Sequence, residues 1–165
     1  MEHIPQLLSK YKSKGVLIDS NLLLVYCVGA YDPDRLARFK RTATFTTDVF
    51  ELLTRFFRFF EKVVTTPNIL TEVNSLSNQL SEDLKAKYYP EFAKQISVLE
   101  EHYLPSAEVS ALAAFDRLGL TDLGIAALVR DKYLVLSDDL KLITHLQSIG
   151  VDAINFNHIR DLEWN

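Results

Sequence analysis

"KGVLIDSNLLLVYC", residues 14–27, sets an apolar triplet directly against an acid. Val16-Leu17-Ile18 follows Gly15 and precedes polar residues, the pattern of a short strand buried on both faces of a sheet. Asp19, Ser20 and Asn21 interrupt the run, which resumes at Leu22 and predicts a helix over about 21–28, with Ser20 or Asn21 as its cap. A carboxylate buried there without a partner would neutralise sooner than stay charged. Asp19 therefore needs something to face.

Outward from this stretch, strands alternate with helices. "TTDVFELLTRFFRFFEK", 46–62, predicts a helix in which Asp48 and Glu51 have capping-box spacing and Arg55, Arg58 and Glu61 point outward. Val63-Val64-Thr65 is β-branched and reads as a strand, and Pro67 suits the first turn of a helix through Leu76. Residues 82–104 carry apolar side chains at helical steps with Pro90 among them, which predicts a pair of helices within a helical insertion of about 80–115. Residues 106–120 are the least legible. Thereafter Thr121 can cap a helix, "YLVLS" (133–137) reads as a strand, "DLKLITHLQSIG" as a helix ended by Gly150, and "VDAINF" as a last strand. The alternation predicts one α/β domain over 1–165 around a parallel sheet.

Composition excludes several classes of protein. The 165 residues are 48% hydrophobic and 24% charged, without a low-complexity tract, which argues against extensive disorder. "MEHIPQLLSKYKSKG" lacks the features of a secretory signal, and the apolar stretch Leu22 to Ala30 is about half of what a membrane span needs. One cysteine, Cys27, leaves no internal disulfide and reads as a small core residue, so a cytoplasmic location with no membrane partner is expected. The 22 acids against 18 bases, a net charge of −4, leave no basic footprint for a nucleic acid. A metal-loaded acidic site would reverse that sign locally. The four histidines have no zinc-ligand spacing.

Two strands end alike, "VLID" at Asp19 and "VLSDD" at Asp138-Asp139. In an open parallel sheet the C-terminal ends of the strands share one rim, where ligand sites form. Glu72 in "TPNILTEV" and Asp122 in "LTDLGI" lie near helix starts that can open on the same rim. Such a cluster cannot stay fully ionised without a cation, and hard divalent ions with oxygen ligands, Mg²⁺ or Mn²⁺, suit it.

With "LIDSN", "TPNILTEV", "LTDLGI" and "LVLSDD" in that order, the chain resembles the PIN-domain nucleases, most closely over roughly 15–66 and 118–158. The resemblance implies a three-layer α/β/α sandwich with a central parallel sheet and Mg²⁺- or Mn²⁺-dependent hydrolysis of RNA, leaving a 3′-hydroxyl and a 5′-phosphate. Asp19, Glu72, Asp122 and Asp139 look like the metal-holding, catalytic acids, with Asp138 an alternative fourth ligand, and Asn21 and Ser137 look like residues that orient metal or water. It also implies RNA as the substrate, a protein inhibitor or antitoxin as partner where the enzyme is toxin-like, and by analogy a homodimer meeting through 82–104. Substrate phosphates would need cations, and "DRLARFKR" offers Arg35, Arg38, Lys40 and Arg41, either flanking the rim or as a solvated loop.

Each acid has an ordinary alternative: Asp122 facing a helix dipole, Asp138 or Asp139 capping a helix, Glu72 in solvent. Two other functions follow from such alternatives. One is a non-catalytic PIN-like module that binds RNA or protein. The other is a Mg²⁺-dependent phosphohydrolase of the haloacid-dehalogenase type, which has an acid where this chain has Asn21.

Overall fold

A computed structural model of the chain describes residues 3–160. Helix α1 (His3–Tyr11) leads into β1 (Val16–Ile18), and Gly15, at φ 118°, makes the turn between them in a conformation that favours glycine. β1 is followed by α2 (Ser20–Tyr31), a 3₁₀ segment (Pro33–Arg38), α3 (Thr47–Phe59) and β2 (Val63–Thr65). Next come α4 (Pro67–Ser77), α5 (Glu82–Ile96), β3 (Glu100–Glu101), α6 (Ser106–Ser110) and α7 (Phe115–Val129). The chain then runs through β4 (Leu134–Ser137), α8 (Leu140–Ser148), β5 (Ala153–Asn155) and α9 (Phe156–Arg160). The five strands form one all-parallel sheet in the order β3-β2-β1-β4-β5, with helices packed around it.

Every residue of β1, β4 and β5 is buried, which is why these strands read as apolar runs without alternation. β1 lies at the centre, with Val16 opposite both Val63 and Leu134. Connections from β1 run out to β2 and β3, and the chain then returns to β4 on the other side of β1. The C-terminal ends of β1 and β4 thus flank the point where the winding reverses, the place where open α/β sheets leave a crevice.

Helix α2 is apolar around most of its circumference because it packs against α3, α4 and α5 as well as lying in the core. Gly29 permits its closest approach: a Cβ there would stand 2.3 Å from a ring carbon of Phe50. One turn earlier, Tyr26 stacks on Phe57 with centroids 3.9 Å apart. Phe56, Phe57 and Phe60 of "RFFRFF" are buried, whereas Arg55, Arg58 and Glu61 face outward as their spacing predicts.

Several local expectations are corrected. Asp19, not Ser20 or Asn21, caps α2, accepting the Leu22 N–H. Thr46 caps α3 in place of the Asp48–Glu51 box, and its hydroxyl accepts the Val49 N–H. Residues 82–104 are not a helix pair. They form the single helix α5 and the edge strand β3. Pro90 is tolerated inside α5 because it and Ala86, whose carbonyl loses its usual donor, both lie on the exposed side, where water can take the donor's place. Tyr88 and Phe92, on the opposite side, are buried, and the Ser77 hydroxyl donates to Tyr88 Oη at 2.9 Å. Among the described residues, no helix is long and apolar enough to cross a membrane.

Candidate active site

Asp19 closes β1 and opens α2. Its backbone N–H donates to the Leu136 carbonyl at 3.2 Å, tying the end of β1 to β4. One carboxylate oxygen accepts the Leu22 N–H at 3.0 Å, and the other accepts the Ser137 hydroxyl. The Ser137 Oγ in turn accepts the Asp139 N–H at 2.9 Å, so this buried hydroxyl fixes both strand ends at once. Asp19 is only 6% exposed. Burial, reinforced by the charge of Asp138, pushes its pKa up to about 7 despite the opposing hydrogen bonds from Ser137 and Leu22.

Glu72 lies on α4, where both its oxygens are held by hydroxyls: Ser20 donates to Oε2 at 2.6 Å and Thr121 to Oε1 at 2.5 Å. Helix α7 is broken at Gly119 (φ 71°, ψ −171°), so Thr121 and Asp122 fall in the first turn of the segment beyond the break. Asp122 is half-buried, and its pKa is raised to about 6 by desolvation first and then by the charges of Asp139 and Glu72, with Lys141 opposing. Asp139 caps α8, its Oδ1 accepting the N–H groups of Lys141 at 2.7 Å and Leu142 at 3.1 Å. Asp19, Glu72, Asp122 and Asp139, with Ser20 and Asn21, line one cavity of about 100 Å³. Four separate elements contribute these acids, and the charges act on one another across the cavity.

Asp138 does not line this cavity. It is half-buried beside Asp19, accepts a 3.5 Å hydrogen bond from Asn21 Nδ2, and has its pKa raised, chiefly by burial. Asn21 thus reaches Asp138 as well as the cavity, and Ser137 holds the Asp19 carboxylate. The basic stretch is elsewhere. Arg35 and Arg38 lie in the 3₁₀ segment beyond the C-terminus of α2, ~18 Å along that helix from Asp19. Arg35 pairs with Asp32 at 3.7 Å, Arg41 donates to Gln79 at 3.0 Å, and neither these nor Arg38 and Lys40 line the acidic cavity. Lys141, near enough to act on the charge of Asp122, is the cation felt at the site among the described residues, although it does not line the cavity.

Ser20, Thr121 and Lys141 are the site residues that the sequence does not mark. Ser20 and Thr121 read there as helix caps, which neither is; their hold on Glu72 becomes visible only when Asp19 and Gly119 are seen to set the helix starts. Among the described residues, no three of His, Cys, Asp or Glu stand close enough together to enclose a metal ion by themselves. The donor set is nonetheless all oxygen, acidic and open to solvent at Glu72 and Asp139, which fits a hydrated hard dication held partly through water. It does not fit a dry protein cage. No protein-family model matches the chain, and no curated protein or solved structure is significantly similar to it.

Proposed function

We propose that the chain is a PIN-like, Mg²⁺- or Mn²⁺-dependent endoribonuclease. The observation that carries this reading is the convergence of Asp19, Glu72, Asp122 and Asp139 on one small cavity at the β1/β4 switch point. Right-handed crossovers running in opposite directions from β1 and β4 put their helices on opposite faces of the sheet, which supports the three-layer α/β/α arrangement. Structural capping would account for Asp19 and Asp139 singly. It gives no reason for Glu72 to line the same cavity, or for Asp122 to be held there at a cost in desolvation and repulsion.

In this reading Asp19, Glu72, Asp122 and Asp139 would hold Mg²⁺ or Mn²⁺, which when bound would lower the pKa of a water and neutralise charge on the scissile phosphate. The chain's own groups prepare the site. Ser137 sets the Asp19 carboxylate, and Ser20 and Thr121 set Glu72. Asp122, on the cavity wall with Asp139 and Glu72, can accept a proton from the attacking water. The water oxygen bonds to phosphorus as the bond to the 3′ oxygen breaks; that oxygen takes a proton from bulk water, and Asp122 returns its own to solvent. No histidine lines the acidic cavity, and the scheme needs none.

A non-catalytic PIN-like binding module is the second reading, favoured by the occupation of both Asp19 and both Glu72 oxygens by protein donors. One experiment separates the two: incubation of labelled single-stranded and structured RNAs with the protein in Mg²⁺ or Mn²⁺, beside an EDTA control. Cutting that EDTA abolishes is expected. Intact RNA in every metal would overturn the enzyme reading in favour of the module.

A further inference from the structure

Asp139 and Lys141 are two residues apart at the start of α8 and serve different cavities. Asp139 lines the acidic one, whereas Lys141 lines a neighbouring groove of about 500 Å³ between the start of α7 and α8. Arg117, Leu140, Thr144 and His145 share its walls. The two walls are joined, because Lys141 Nζ donates to the Arg117 carbonyl at 2.6 Å. That bond uses one of three ammonium hydrogens and leaves the others free. The Arg117 guanidinium is exposed and has no hydrogen-bond or ion-pair partner among the described residues.

In a chain with four more acids than bases, this juxtaposition has a consequence for any polyanion. A phosphate entering the acidic cavity is repelled by its carboxylates unless a dication is present, and phosphates farther along the strand than a Debye length, about 8–10 Å, gain little from that ion. They need protein cations along the strand's path. Arg117 and Lys141 supply them in the adjoining groove, whereas Arg35 and Arg38 sit at the far end of α2. The groove follows α8 from Leu140 to Ser148, ~12 Å, long enough for more than one phosphate of a single strand. Leu140, 66% exposed, offers an apolar surface on the groove wall next to Asp139.

We infer that the α7–α8 groove is the backbone-binding subsite for single-stranded RNA flanking the scissile phosphate, with Arg117 and Lys141 as its phosphate contacts. The inference rests on the nuclease reading and adds to it a path for the substrate. Its occupant is a nucleic-acid strand rather than an acidic peptide, because the basic groove adjoins, at the consecutive residues Leu140 and Asp139, a cavity suited to a phosphate-binding dication.

The test uses the full chain with a fluorescein-labelled single-stranded RNA of about a dozen nucleotides, followed by anisotropy in EDTA between about 50 and 200 mM salt. Arg117→Ala is expected to weaken binding about fivefold and to reduce the salt slope by about 0.7, the share of one phosphate on a single strand. Arg117→Lys should restore both, and Lys87→Ala, on exposed α5 surface, should change neither. In Mg²⁺, Arg117→Ala should raise KM and leave kcat at saturating RNA near the parent value. If wild type cuts RNA but Arg117→Ala and Arg117→Glu bind with its affinity and slope, the subsite is refuted while the nuclease reading stands. If wild type neither binds nor cuts RNA, but an acidic peptide binds and is lost in Arg117→Glu, the groove belongs to a protein partner and both proposals fall.

Discussion

Asp19→Asn is expected to reduce Mg²⁺-dependent RNA cleavage by about a hundredfold or more and, in metal-free buffer at pH 8, to raise the melting temperature. The two effects have one origin. Asparagine is as good an N-cap as aspartate, so the Leu22 N–H keeps its acceptor and α2 keeps its start. The loss is a charge, which stands almost completely buried beside Asp138 with no cation among its protein neighbours. Favourable interaction of that charge with the α2 dipole is worth about 0.3–1 kcal/mol, less than the desolvation that raises its pKa to about 7. Activity measured under single turnover, together with a melt of the same preparation, checks the pair. A purely structural Asp19 would show the reverse, a less stable protein with unchanged chemistry.

The second large effect is on stability against pH. Asp19 and Asp122 have native pKa values of about 7 and about 6, above the ordinary 3.8. Between those values the folded protein holds protons that the unfolded chain has released. Stability from these groups is therefore fully present below about pH 4 and is lost as pH rises through the native values. For Asp19 alone the loss by pH 8 is on the order of 4 kcal/mol at most, at about 1.4 kcal/mol for each pKa unit. Urea melts in EDTA at pH 5, 6.5 and 8 are expected to show falling stability. Saturating Mg²⁺ should flatten or reverse the trend, since a ligand bound only by the native state adds stability in proportion to its affinity for the ionised acids. The same slope with and without Mg²⁺ would mean that the acids hold no cation.

How much of this was legible in the chain depended on how local each determinant is. Val16–Ile18 and Leu134–Ser137 announce themselves as strands because they are buried on both faces, and their terminal acids then fall on one rim by parallel topology alone. Glu72 and Asp122 were legible as residues near helix starts, since Pro67 and Thr121 mark those starts. The edge strand β3 was not, because its two residues are Glu100 and Glu101 and carry no apolar signal. Lys62 at 3.3 Å and His102 at 2.9 Å hold the Glu100 carboxylate, and the His102 bond chiefly lowers its pKa. A charged edge of this kind discourages pairing with another chain. Lys141 and Arg117 were invisible as a pair for another reason. They are 24 positions apart and meet through the packing of α7 on α8, whereas Arg35, Arg38, Lys40 and Arg41 cluster in sequence and lie away from the acids.

The most direct test of the central claim is calorimetric titration of Mn²⁺ into the metal-free protein at pH 7.5, repeated with Asp19→Asn and Asp139→Asn. Saturable binding by wild type that weakens at least about tenfold in both variants is the result this account predicts. Absent binding, or binding that both substitutions leave unchanged, would contradict it and return Asp19 and Asp139 to the role of helix caps.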